Sequence, residues 1–172
     1  MKEVVVIRHG EKEGDGLTAQ GIAKCRALAG RAGSFTLAIA SPQQRAVQTA
    51  GLITGLPVKS DSRASVPAFP EREVKRLGAI QQTHTLGIIG AIWEEPALIE
   101  DVRIAGTKLL DLVYEVMNEL LPDQRALIVS HDGTMVGLEK LLRSESFDTV
   151  DHSFGPLEGI KVDEEFRLEN FK

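Results

Sequence analysis

The chain has 172 residues, enough for one domain with a buried core, and its 42% hydrophobic and 26% charged residues are ordinary for a folded protein. A net charge of −5 argues against nucleic acid or an acidic membrane surface as the main partner, so a site for an anion has to be built locally against the overall field. One cysteine, Cys25, excludes an internal disulfide and a cysteine-rich zinc site, and is read as a small core hydrophobe.

The N-terminal run Val4-Val5-Val6-Ile7 is too short for a signal peptide and stops at Arg8. No stretch approaches the ~18 apolar residues of a membrane span, so the expectation is a cytoplasmic protein without a membrane partner. The same β-branched run has the look of a strand buried on both faces of a parallel sheet. Glu11 to Gly16 reads as a loop, and Thr18 as the N-cap of a helix from about Ala19 to Ala32, closed by Gly33 and Ser34.

Leu37-Ala38-Ile39-Ala40 predicts a second buried strand. It leads into Ser41-Pro42-Gln43-Gln44, which has the form of a capping box with proline at the first helical position, opening a helix that ends near Gly55. Val58 to Arg63 suits a third strand. Arg72 to Pro96 carries no clear period and is read as a helix and loops packed over one edge, in the position of a lid. From Asp101 to Leu121, Val102, Ala105, Leu109, Leu112, Val116 and Leu120 recur at helical spacing, and Pro122 follows. Ala126-Leu127-Ile128-Val129 predicts a fourth strand, before a helix from about Gly133 to Leu142. Ile160-Lys161-Val162 and Phe166-Arg167-Leu168 predict a closing antiparallel hairpin. The alternation points to a single α/β domain over residues 1–172, a three-layer α/β/α sandwich with a mostly parallel central sheet.

In such a sheet, ligands sit beyond the carboxyl ends of the strands. The first strand ends in Arg8-His9-Gly10-Glu11, the second in Ser41-Pro42 with Arg45 close behind, and the fourth in Ser130-His131-Asp132-Gly133. Arginine forks suit phosphate. A cation in the first turn of a helix opposes the macrodipole unless an anion is bound there, which makes Arg45 informative. A neutral imidazole at His9 is a competent nucleophile toward phosphorus, and His131 is placed to donate to charge developing on the phosphoryl oxygens. A metal site from His9, His131 and Asp132 is the rival chemistry. Taken singly, His131 also suits a helix cap and Asp132 an ordinary N-terminal acid.

Arg8-His9-Gly10-Glu11, Leu17-Thr18-Ala19-Gln20-Gly21, the stretch from Ser41 to Ala50, and Val129-Ser130-His131-Asp132-Gly133 together resemble the ordered motifs of the histidine phosphatase (phosphoglycerate mutase-like) superfamily. The resemblance implies a fold of the expected kind and a two-step reaction. His9 takes the phosphoryl group as a phosphohistidine, water releases it, Arg8, Arg45 and His131 hold the phosphate, and neither a metal nor another cofactor is needed.

The pattern departs from the family at the proton donor. The carboxylate that often follows the third strand is missing from Arg63-Ala64-Ser65-Val66-Pro67. Asp132 resembles the donor of the acid-phosphatase branch, Glu71 and Glu73 stand a little further on, and phosphohistidine phosphatases lack an obvious acid altogether. His84 is read as a surface or lid residue and His152 as a candidate to approach the pocket, while Glu11 and Thr18 shape the first loop. The implied activity is hydrolysis of a phosphomonoester or phosphoprotein, phosphohistidine included. The alternatives are a phosphoglycerate mutase-like phosphotransferase, for which the chain carries too little insertion to close a pocket to water, and a non-catalytic phosphate-binding module.

Overall fold

The computed structural model describes residues 1–80 and 84–172. The first strand, β1 (Glu3–Arg8), leads into a short hairpin, β2 (Lys12–Glu13) and β3 (Gly16–Leu17), and then into α1 (Ala19–Ala29). Next come β4 (Leu37–Ala40), α2 (Gln44–Thr54), β5 (Val58–Ser60) and a 3-10 turn (Ser62–Ala64). Three helices follow, α3 (Glu71–Ile80), α4 (Gly87–Trp93) and α5 (Pro96–Glu119). The chain closes with β6 (Arg125–Ser130), α6 (Asp132–Leu142), β7 (Gly159–Asp163) and β8 (Leu168–Phe171).

The central sheet has the order β5-β4-β6-β1-β7-β8. Its first four strands are parallel, and β7 and β8 add an antiparallel edge, as the sequence pattern led one to expect. Because strand side chains alternate, each buried strand serves two cores. Val4 and Val6 of β1, with Ala126 and Ile128 of β6, pack beneath α4, α5 and α6. Val5 and Ile7, with Leu127 and Val129, pack beneath α1 and α2. Strands apolar on both faces therefore make the middle layer of three. No helix among the described residues is long and apolar enough to cross a membrane.

Several boundaries differ from expectation, each for a local reason. Thr18 does cap α1, accepting from Gly21 N at 2.9 Å, but the helix closes at Gly30 rather than at Ala32. The loop after β1 contains the small β2–β3 hairpin. Ser41 is not a helix cap: α2 starts three residues later behind Gln43, so the serine hydroxyl is left for the site described below. The third strand stops at Ser60, because Asp61 caps the 3-10 turn by accepting from Arg63 N at 2.9 Å. The long helix begins at Pro96, five residues before Asp101, with the proline in the first turn where its missing N–H costs nothing. Phe166 lies in the final turn with φ 59° rather than in a strand. The stretch from Arg72 to Pro96 supplies α3 and α4; its residues 81–83 lie outside the described residues.

Candidate active site

Register brings the two histidine motifs side by side. Arg8 pairs with Ser130 at the ends of β1 and β6, so His9 and His131 are the next residues out on neighbouring strands. Their rings stand 5.1 Å apart, inclined at 61°. β4, on the other side of β6, pairs Ala40 with Val129 and delivers Ser41 to the same rim. Ser41 Oγ then meets His131 Nε2 at 2.9 Å.

The orientation of His9 is fixed at both nitrogens. Nδ1 donates to the Gly10 carbonyl at 2.8 Å, which leaves the lone pair on Nε2. That lone pair accepts from Arg45 Nε at 3.1 Å. Burial pushes the His9 imidazolium down to a pKa of about 4, helped by Arg45 and Arg8 and opposed by the Gly10 carbonyl. His131 falls to about 3 through burial, with His9, Arg45 and Arg8 adding to the effect. Both rings are therefore neutral near pH 7.

Gly10 N donates to Thr49 Oγ1 at 3.0 Å, and Thr49 in turn donates to the Arg45 carbonyl at 2.7 Å. This buried hydroxyl ties the loop after β1 to α2 and sets the spacing between nucleophile and guanidinium. Gly21 serves the same loop from α1, since a side chain there would collide with the Glu11 carbonyl. Glu11 accepts from Thr18 Oγ1 at 3.2 Å and pairs with Lys24, shaping the loop as expected.

Arg8 Nη1 reaches Asp132 Oδ2 at 3.3 Å and also donates to the Phe154 carbonyl. Its Nε is buried with no hydrogen-bond partner, a costly state for a donor unless an anion fills it. Asp132 is buried, and Oδ1 accepts from Phe154 N at 2.8 Å. Burial raises its pKa, against Arg8 and the Phe154 N–H, which favour the charged form. Arg45 Nη1 is held by Asp15 at 2.7 Å, and the other Asp15 oxygen accepts from Gln44 N at 3.3 Å. Asp15, on the β2–β3 hairpin, thus occupies the start of α2.

These groups form one end of a cleft of about 350 Å³ to which Arg8, His9, Lys12, Arg45, His131 and Asp132 contribute. Its other walls are Pro67 and Phe69 after the 3-10 turn, Leu77 of α3, and Ile88 and Ile92 of α4. Glu71 and Glu73 do not line it. Glu71 is exposed and pairs with Lys75, and Glu73 is taken up by Arg72 and Arg76. His84 packs against Gly90 and pairs with Glu94 on α4. His152 lies behind the site, bridging Glu139 and Asp151 at 2.7 and 2.9 Å, with its ring against Phe154.

Among the described residues no cluster of three or more His, Cys, Asp or Glu is spaced to hold a metal. Two arginines beside His9 and His131 also make the cleft hostile to a cation. Five participants escaped the sequence reading. Asp15 and Lys12 are common residues on a loop, while Ser41, Gln43 and Thr49 stand inside the motif from Ser41 to Ala50, where the local pattern points to helix capping and helix turns rather than to the site.

The sequence profile described as the histidine phosphatase superfamily (branch 1) matches residues 4–153. No curated protein matches the chain by sequence. Among solved structures, a mycobacterial glucosyl-3-phosphoglycerate phosphatase complexed with VO3 is 19% identical, with a TM-score of 0.67 over 99% of this chain and 98% of that one. Phosphoserine phosphatase of Entamoeba histolytica, in complex with 3-phosphoglyceric acid, is 20% identical with a TM-score of 0.67 over 100% of this chain and 96% of that one. YhfR of Bacillus stearothermophilus is 20% identical with a TM-score of 0.66 over 99% and 95%. At these identities the likeness is one of fold.

Proposed function

Since the chain belongs to the histidine phosphatase superfamily, branch 1, we propose that it hydrolyses phosphate monoesters of small molecules through a phosphohistidine at His9. The observation that carries this reading is the Nε2 lone pair of a neutral His9, fixed by the Nδ1 bond to Gly10 and flanked by Arg8, Arg45 and His131.

The phosphate enters between the two guanidiniums, satisfying the orphaned Arg8 Nε–H and taking over the Arg45 Nε–H now spent on His9. His9 Nε2 attacks phosphorus, forming the N–P bond as the ester P–O bond breaks. His131 stabilises the equatorial oxygens. The leaving alcohol takes a proton from Asp132, the one carboxyl among the described lining residues, whose raised pKa favours that role. Its Oδ2, held only by the 3.3 Å contact to Arg8, is the oxygen assigned to the proton. Water then attacks phosphorus, gives its proton to Asp132, and the N–P bond breaks to return His9 and release phosphate. Glucosyl-3-phosphoglycerate phosphatase and phosphoserine phosphatase, the named neighbours, act by their names on phosphorylated small molecules, which supports that class over a phosphoprotein.

The test is to react the protein with a panel of phosphoesters and phosphohistidine peptides and to quench in alkali. Expected is an acid-labile phosphate on His9 that disappears in His9→Ala together with phosphate release. Phosphate moved to another position of the same substrate would indicate a mutase. Neither turnover nor label across the panel would leave a binding module.

A further inference from the structure

The cleft has two unlike ends. Every charged group among its described lining residues belongs to the phosphate end, as do the neutral polar ones, His9, His131 and Gln43, the last standing beside Arg45 at the start of α2. Among the described residues the opposite walls are hydrocarbon: Pro67, Phe69, Leu77, Ile88 and Ile92. Two further residues, Val66 and Val74, complete this end and are 41% and 54% exposed. Exposed valines are not needed by either core. The described α3 residues that line the cleft, Val74 and Leu77, are apolar, while Glu71 pairs with Lys75, Glu73 with Arg72 and Arg76, and Arg76 also with Glu95, its Nη2 buried without a partner.

We propose that the substrate is a phosphomonoester whose alcohol part is apolar, an alkyl or aryl group lying along α3 and α4 while the phosphate sits on His9. This rests on the phosphatase reading and narrows it. A substrate carrying a carboxylate next to its phosphate would have to desolvate that charge against hydrocarbon, because the described lining cations, Arg8, Arg45 and Lys12, all stand at the phosphate end. An alkyl or aryl group instead gains by leaving water for these walls, at about fourfold in affinity for each buried methylene.

The experiment is a series of n-alkyl phosphates from ethyl to octyl, with phenyl phosphate, 3-phosphoglycerate and phosphoserine, scored by kcat/KM on the full chain. Expected is a rise of roughly twofold to fourfold per methylene until the walls are covered, with both carboxylated esters at least tenfold below butyl phosphate. Val74→Asp, at an exposed position where folding is safe, should flatten the series, and Val74→Lys should narrow the gap to the carboxylated esters. A flat series, or preference for 3-phosphoglycerate or phosphoserine, overturns the apolar class and leaves the phosphatase reading standing. If no ester is hydrolysed the phosphatase reading fails instead. Binding of n-alkylphosphonates, read by calorimetry, then decides the apolar wall alone: Kd falling with chain length supports it and a constant Kd overturns it.

Discussion

His9 and His131 refuse a proton that they would accept in the unfolded chain, and this has a cost in acid. Their folded pKa values, about 4 and about 3, lie below the ordinary 6.5. Between pH 6.5 and 4 the unfolded state binds more protons than the folded one, so stability falls as pH drops through that window. At about 1.4 kcal/mol per pH unit and site, the two sites together lose at most roughly 7 kcal/mol across this window. Urea midpoints should therefore decline from pH 7 to pH 4.5, and less steeply in His9→Gln. The same neutrality keeps the nucleophile available, so the acid limb of kcat/KM should not contain a histidine near 6.5. Asp15 sets a second expectation. Its carboxylate neutralises Arg45 from the hairpin while standing where it repels an incoming phosphate. Asp15→Asn keeps an acceptor for Gln44 N and removes the charge, so inorganic phosphate should inhibit about threefold to tenfold more tightly. Asp132→Asn separates two roles of one carboxylate. As proton donor it should slow alkyl esters at least tenfold more than p-nitrophenyl phosphate, whose leaving group needs no proton; an equal loss on both would make it only a brace for Arg8.

At the level of elements, the strands were legible because each is a run of β-branched or apolar residues too short for a helix, and α5 because its apolar stripe is long. Arg8, His9, Arg45, His131 and Asp132 were legible as a group for a different reason: all stand within a few residues of a strand end, where the fold gathers ligands. Ser41 was misassigned because serine followed by proline satisfies the local pattern of a helix start, whereas its actual partner, His131, is 90 residues away. α3 was obscure because Leu77 is its one buried side chain, and α4 because its seven residues, though mostly buried, are too few to show a helical period. The contact between α5 and α6 depends on two glycines whose backbones nearly touch. A Cβ on Gly137 would lie 2.6 Å from the Val102 carbonyl, and one on Gly106 2.5 Å from the Gly137 carbonyl carbon. Gly137→Ala should cost ~1–3 kcal/mol by forcing the helices apart, visible as a lower denaturant midpoint with unchanged slope. Since α6 begins at Asp132, the same variant should also slow turnover.

For the molecule as a whole, the site is a joint between the two cores: β1 and β6 contribute to both, α2 belongs to one side, and α3 and α4 to the other. A phosphate held by Arg8, Arg45 and His131 would staple the layers and raise stability by mass action, increasing with the logarithm of its concentration. Cys25 offers a way to watch that joint. Its thiol is fully buried, burial holds its pKa up, and its sulfur lies just under Gly10, the residue that follows the nucleophile. A thiol-specific reagent can reach it only when α1 lifts from the core it shares with α2, so the labelling rate is a clock for that opening, independent of any substrate. If the opening disrupts the phosphate cradle, saturating phosphate slows the clock in proportion to occupancy; if α1 breathes alone, the clock keeps its pace while the site stays loaded.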